Sequence, residues 1–172
     1  HMSVAASGGI TDAIDRWLGT VGRGPDEVAQ AAREFLRQNG ELDEREVRRT
    51  VALLRPGSRE ATGLVASGPV ARERAAYALM IRAFRRIARR RPVALVVEDL
   101  HLAGPTAAAF LEHVLFEVAY EPFPFLYLGT WRPGAEQPGF LERVARTDRY
   151  EGGVRRLLDL EPLAQGALSA GL

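Results

Sequence analysis

Val93-Ala94-Leu95-Val96-Val97 is an unbroken apolar run, flanked by Arg91-Pro92 on one side and Glu98-Asp99 on the other. Continuous rather than alternating apolar character predicts a strand buried on both faces, as in a parallel sheet. A parallel strand needs long crossovers, and the neighbouring sequence supplies them. Before the run, Tyr77, Met80, Ile81, Phe84, Ile87 and Ala88 mark one face of a long helix starting near Pro69. Arg82, Arg85, Arg86, Arg89, Arg90 and Arg91 crowd its C-terminal end, where cations complement the helix dipole. After the run, Gly104-Pro105 opens a helix that turns Phe110, Leu111, Val114, Leu115 and Val118 to the core. Residues 123–129 predict a second apolar strand, 137–146 a short helix and 154–160 a third strand. The order β-α-β-α-β predicts an α/β fold with a parallel sheet.

The first 68 residues predict helices only. Ile10, Ile14, Trp17 and Leu18 follow helical spacing until 19–25 breaks it. Pro25 then sits at a first helical position, with Asp26 and Glu27 in the first turn. Val28, Ala32, Phe35 and Leu36 form the apolar stripe, closed by Asn39-Gly40. Asp43 with Glu46 three residues on resembles a capping box, opening a helix through Val47, Val51 and Leu54 that ends before Pro56-Gly57. The stretch 55–68 predicts a loop. Two regions follow: a helical one over 1–68 and a sheet-bearing one over 69–172.

Composition removes several functional classes. There is no Cys, so disulfides, thiol nucleophiles and cysteine metal sites are excluded, and His1, His101 and His113 are too scattered for a zinc motif. Basic and acidic residues number 23 and 22, so no overall charge draws the chain to nucleic acid or an anionic membrane. The 82–91 arginines lack interleaved aromatic residues for base stacking; they read as a solvated face or as a surface for an acidic partner, with direct nucleic-acid binding not expected. No apolar run reaches the ~18 residues of a membrane helix, and no secretion signal opens the chain, so no membrane association and a cytoplasmic location are expected. His1-Met2 reads as the remnant of a cloning site, which implies a segment taken from a larger protein. There is no G-x-S-x-G elbow and no plausible nucleophile beside a histidine, so a hydrolase reading lacks support.

The chemistry sits at the end of the first strand. In open parallel sheets ligands bind beyond the strands' carboxyl ends, and adjacent carboxylates there can hold Mg²⁺ and polarise a water. Glu98-Asp99 after Val93–Val97 is such a Walker B pattern; a solvated strand end has the same appearance. The longer string VALVVEDLHLAGPTAAAFLEHVL resembles the Walker B region of the STAND class of signal-transduction ATPases, relatives of the AAA+ proteins. The strand from Phe125 into Gly129-Thr130-Trp131-Arg132-Pro133 is similar to that family's sensor strand, which typically ends in Gly-Thr-x-Arg-Pro. Leu158-Asp159-Leu160-Glu161-Pro162-Leu163 is similar to its link from the last core strand to the lid. The resemblance spans 71–172 and implies a partial P-loop NTPase (AAA+-like) sheet with a helical N-terminal region.

Carried over by position, the resemblance makes Glu98 and Asp99 the residues for Mg²⁺ coordination and water activation. Thr130 and Arg132 become sensors of the γ-phosphate, and His101 shapes the loop beside the acidic pair. His101 also reads as a packing histidine, and Arg132 as a surface arginine at a strand end. Leu102-Ala103-Gly104 replaces the family's usual Trp-Ala-Asp, so an aromatic group and a carboxylate near the site are missing. All 23 basic residues are Arg, and no G-x-x-x-x-G-K-[ST] loop is present, so Walker A is absent. The resemblance therefore implies ATP and Mg²⁺ for a larger multidomain regulator, with a kinase, cyclase or DNA-binding output, and no tight binding by this chain alone. A missing P-loop strand would leave sheet edges open, so a homodimer through those edges is a further expectation. The alternative is a catalytically inactive interaction or oligomerisation module. Convergence of Glu98, Asp99, Thr130 and Arg132 around one cavity would separate the two readings.

Overall fold

The computed structural model describes residues 9–61, 68–132 and 139. Pro133, the expected helix over 137–146 apart from Gly139, the expected strand over 154–160 and the 158–163 link lie outside the described residues. What is described is mixed α/β, mostly helical, with a two-stranded parallel sheet.

Three helices open the chain: α1 (Gly9–Trp17), α2 (Pro25–Asn39) and α3 (Glu44–Leu54). The first turn of α2 is closed by Glu27, whose carboxylate accepts from the Gly24 N–H at 2.9 Å. At α3 the cap is Asp43, which accepts from the Arg45 N–H at 2.9 Å. Glu46 does not complete a capping box. It is 5% exposed and turns inward, where Arg86 meets it at 2.8 Å and Arg82 lies at 3.8 Å. A buried carboxylate needs such partners, and arginines on a neighbouring helix supply them better than one backbone N–H.

The loop after α1 is fastened to the end of α3. Asp15 accepts from Thr20 Oγ1 at 2.5 Å and from Arg55 Nη1 and Nη2 at 3.1 Å each. Arg55 also donates to the carbonyls of Thr20 and Arg23. Beyond it, the expected loop contains a 3-10 turn at Arg59–Ala61.

α4 (Pro69–Ala88) carries the predicted face: Tyr77, Met80, Ile81, Phe84 and Ala88 are buried. They meet Ile10, Ala13 and Ile14 of α1 and Phe110, Leu111 and Val114 of α5 (Pro105–Tyr120) in one core. β1 (Val93–Val97) and β2 (Phe125–Gly129) pair in parallel, with Val93 opposite Phe125 and Val97 opposite Gly129, and α5 is the crossover between them.

Burial of β1 on both faces is not observed. Val93 and Leu95 are buried, but Val96 is 51% exposed, and on β2 Leu126 and Leu128 are 61% and 50% exposed. Period-2 geometry puts Val96, Leu126 and Leu128 on the face away from the helical core. α1, α4 and α5 pack together in the core that takes Val93 and Leu95, so one side of the sheet is covered and the other is open among the described residues. No helix among them is long and apolar enough to cross a membrane.

Candidate functional site at the strand ends

Beyond Val97 the chain cannot continue as a strand and also bury Leu100. It turns at Asp99, whose backbone is left-handed (φ 53°, ψ 47°), the one non-glycine with positive φ among the described residues. That conformation costs an L-residue about 1–2 kcal/mol, least for Asp and Asn. A 3-10 turn at Leu100–Leu102 follows, and Leu100 drops into the core at 2% exposure.

Three hydrogen bonds hold this turn against the end of β2. Thr130 N–H donates to the Val97 carbonyl at 3.0 Å, Leu100 N–H to the Thr130 carbonyl at 2.8 Å, and Asp99 N–H to Thr130 Oγ1 at 3.2 Å. The in-register pairing of Val97 with Gly129 makes this possible, since it brings Thr130 level with the acidic turn. Thr130, expected as a phosphate sensor, is seen here as a clamp on the acidic turn. Its hydroxyl accepts from Asp99 and keeps its own proton to donate.

Gly129 is approached closely by two side chains. A Cβ there would stand 2.5 Å from Leu100 Cδ1 and 2.8 Å from the Tyr127 hydroxyl oxygen. The Tyr127 hydroxyl is buried with no hydrogen-bond partner among the described residues, and burial pushes its pKa upward. Leu100, Tyr127 and Gly129 are residues that sequence reasoning did not assign to the site. For Gly129 a signal existed, because a glycine at the end of a strand marks close approach. The side-chain face of Tyr127 was readable only once register was known.

Asp99 is the electrostatic centre. Its Oδ1 lies 4.0 Å from His101 Nδ1 and 3.9 Å from Arg132 Nε, both beyond hydrogen-bond distance. Arg132 and Asp99 are 73% and 53% exposed in their side chains, so their attraction is screened and worth little to stability. His101 is mostly buried, and its Nδ1 has no hydrogen-bond partner among the described residues. Glu98 is exposed and makes no hydrogen bond or ion pair among them. The structure therefore brings Asp99, His101, Thr130 and Arg132 together and leaves Glu98 beside them.

The cluster is an open shelf rather than an enclosed cavity. A mainly apolar cavity lies elsewhere, between α1, α2, α3 and α4, lined by Trp17, Phe35 and Met80 with Glu46 and Thr50 among others. No group of three or more His, Asp or Glu among the described residues is placed to hold a metal ion. Two carboxylates would supply only part of a Mg²⁺ shell, an ion that usually keeps waters and takes phosphate oxygens for the rest. The chain matches no protein-family model, no curated protein and no solved structure.

Proposed function

We propose that this chain is the Walker B and sensor portion of a STAND-class ATPase domain, part of a larger cytoplasmic signal-transducing regulator. The observation that carries the reading is the hydrogen-bonded junction of Asp99 and Thr130 at the shared carboxyl end of two parallel strands, with Arg132 beside it. An acidic turn fixed to a Thr-x-Arg strand end is what a phosphoryl-transfer site requires: carboxylates for the cation, a hydroxyl and a guanidinium for phosphate oxygens.

The residues present fit Mg²⁺ and ATP in part. Glu98 and Asp99 would hold the ion through exposed carboxylates, neither of them tied into a hydrogen bond. When bound, Mg²⁺ neutralises phosphate charge. Arg132, largely solvated, is free to reorient toward an anion, and the Thr130 hydroxyl has a proton to donate to one. The left-handed turn positions the Asp99 carboxylate without needing a hydrogen bond to it. No lysine and no glycine-rich phosphate loop occur in the sequence, so a cradle for the β- and γ-phosphates must come from other polypeptide.

The test uses the whole encoded protein. The reading frame upstream of Ser3 is expected to encode a strand and a glycine-rich loop ending in Lys-Ser or Lys-Thr. In that protein Glu98→Gln and Asp99→Asn are expected to lower ATP turnover by about a hundredfold or more while leaving nucleotide binding largely intact. A frame without such a loop, or full turnover in both variants, overturns the reading.

The open sheet face favours a second reading, an interaction module without catalysis. Val96, Leu126 and Leu128 form an exposed apolar patch next to strand edges, the arrangement that invites pairing with another chain. Concentration-dependent dimerisation, abolished by Leu126→Glu, would support it; a monomer at all concentrations would remove it.

A further inference from the structure

Residues 82–91 hold six arginines and no carboxylate, while residues 37–49 hold four of each. α3 packs on α4, which joins these stretches into one surface. Arg86 reaches from α4 to the Glu46 carboxylate at 2.8 Å and to the Glu41 carbonyl at 3.2 Å, and Arg90 donates to the Gln38 carbonyl. Arg49 of α3 is near enough to Arg82 to oppose its charge.

The surface's own carboxylates are mostly committed. Glu46 is buried between Arg86 and Arg82, Glu44 is held by Arg33 at 2.9 Å, and Asp43 caps α3. Arg85 is taken from the other side by Glu117 of α5 and Glu121 just past its end. Arg45, Arg48, Arg49, Arg89 and Arg91 remain exposed, with no side-chain ion pair or hydrogen bond among the described residues. Arg82 is only partly satisfied: its Nε lies 3.8 Å from Glu46, beyond hydrogen-bond distance, and burial above all pulls its pKa down although Glu46 opposes the shift.

We propose that the α3–α4 arginine surface docks an acidic polypeptide segment, rich in glutamate or aspartate. Arg45 and Arg49 stand one turn apart on α3, with Arg48 between them, and Arg89 and Arg91 follow at the end of α4, beyond the Arg86 that Glu46 takes. These uncommitted guanidinium forks, spaced about a helical turn apart on α3, suit bidentate carboxylate contacts. Leu42, 40% exposed in the loop beside Arg86, offers one apolar contact within the charged field. Nucleic acid fits less well. The exposed aromatic residues among the described ones, Phe116 and Tyr120, lie on α5 beside Glu117 and Glu121, whose charge repels phosphate. The surface leads into the start of β1, at the opposite end of the strand from Asp99, so it does not depend on the nucleotide reading.

Anisotropy of a fluorescein-labelled poly-glutamate peptide with the full chain tests this. Binding is expected at low salt and should weaken steeply as ionic strength approaches physiological, where the screening length is about 8 Å. The triple variant Arg45→Gln/Arg49→Gln/Arg89→Gln leaves the Arg82 and Arg86 anchors of Glu46 in place. It is expected to lose at least about tenfold in affinity, while Arg16→Gln/Arg74→Gln, exposed arginines elsewhere, changes little. Should the triple variant lose its far-UV CD signal, Arg45→Gln and Arg89→Gln taken singly should each weaken binding about two- to threefold. No binding at low salt, unaltered affinity in a folded variant, or tighter binding of a labelled single-stranded oligonucleotide than of the peptide would overturn the proposal.

Discussion

In α2 the apolar stripe Val28, Ala32 and Leu36 is buried almost completely, and in α3 so is Val47. In the strand pair, equally apolar Val96, Leu126 and Leu128 stand half exposed or more. The difference is one of encoding. An amphipathic helix writes its buried side into the spacing of its residues, with charged residues marking the outside, as they do on α2 and, the buried Glu46 apart, on α3. A strand that is apolar at every position marks neither face. Which face is covered then depends on where α4 and α5 pack, and here both serve the face of Val93 and Leu95.

The largest test of this contrast lies within one strand. Leu95→Ala removes a buried side chain from the core and is expected to cost about 2–5 kcal/mol, whereas Val96→Thr, one residue on, should stay within about 0.5 kcal/mol. Urea unfolding of both variants decides it. A large loss for Val96→Thr would mean that the outer face is covered in solution, by a second copy or another segment, and the contrast between regions would collapse.

Next in size is Gly129→Ala. The added methyl meets Leu100 and the Tyr127 hydroxyl, and an overpacked core typically loses about 1–3 kcal/mol. The accompanying sign is a shifted Asp99 amide resonance, because Leu100 anchors the left-handed turn. An unshifted amide together with unchanged stability would show that the turn is held by Thr130 alone.

The smallest effect belongs to the helical region and depends on pH. The Asp43 carboxyl is held below its ordinary value, chiefly by the backbone N–H of Arg45, and Glu44 is held below its own by Arg33. A lowered folded pKa means that this stabilisation is complete above the unfolded-state values near 4 and disappears as pH falls through the folded ones. Acidification below about pH 4 should therefore loosen the start of α3, and Asp43→Asn should flatten that part of the acid titration of far-UV CD. An identical acid profile in the variant would assign the acid sensitivity elsewhere.

Much of the scaffold was legible. The starts of α2 at Pro25, α4 at Pro69 and α5 at Pro105 follow from proline at first helical positions, and β1 coincides with the apolar run that predicted it. Glu46 was misread because its spacing from Asp43 suits a capping box, while the arginines that claim it lie 36 and 40 residues further along the chain. Family likeness named Glu98, Asp99, Thr130 and Arg132 without placing them relative to one another, and neither the clamping role of the Thr130 hydroxyl nor the close approach at Gly129 was legible. Both depend on atoms brought together across the two strands.

By itself the sequence determined the local order: helices where apolar residues recur every three to four positions, a strand where five follow in succession, and an acidic pair placed at that strand's end. Only the tertiary structure decided that Val97 lies opposite Gly129, that Asp99 turns left-handed above a buried Leu100, and that one face of the sheet is covered. Periodicity is set by the geometry of a single element. Register and face are set by the packing of elements against one another, where one step along a strand reverses which side chains are buried.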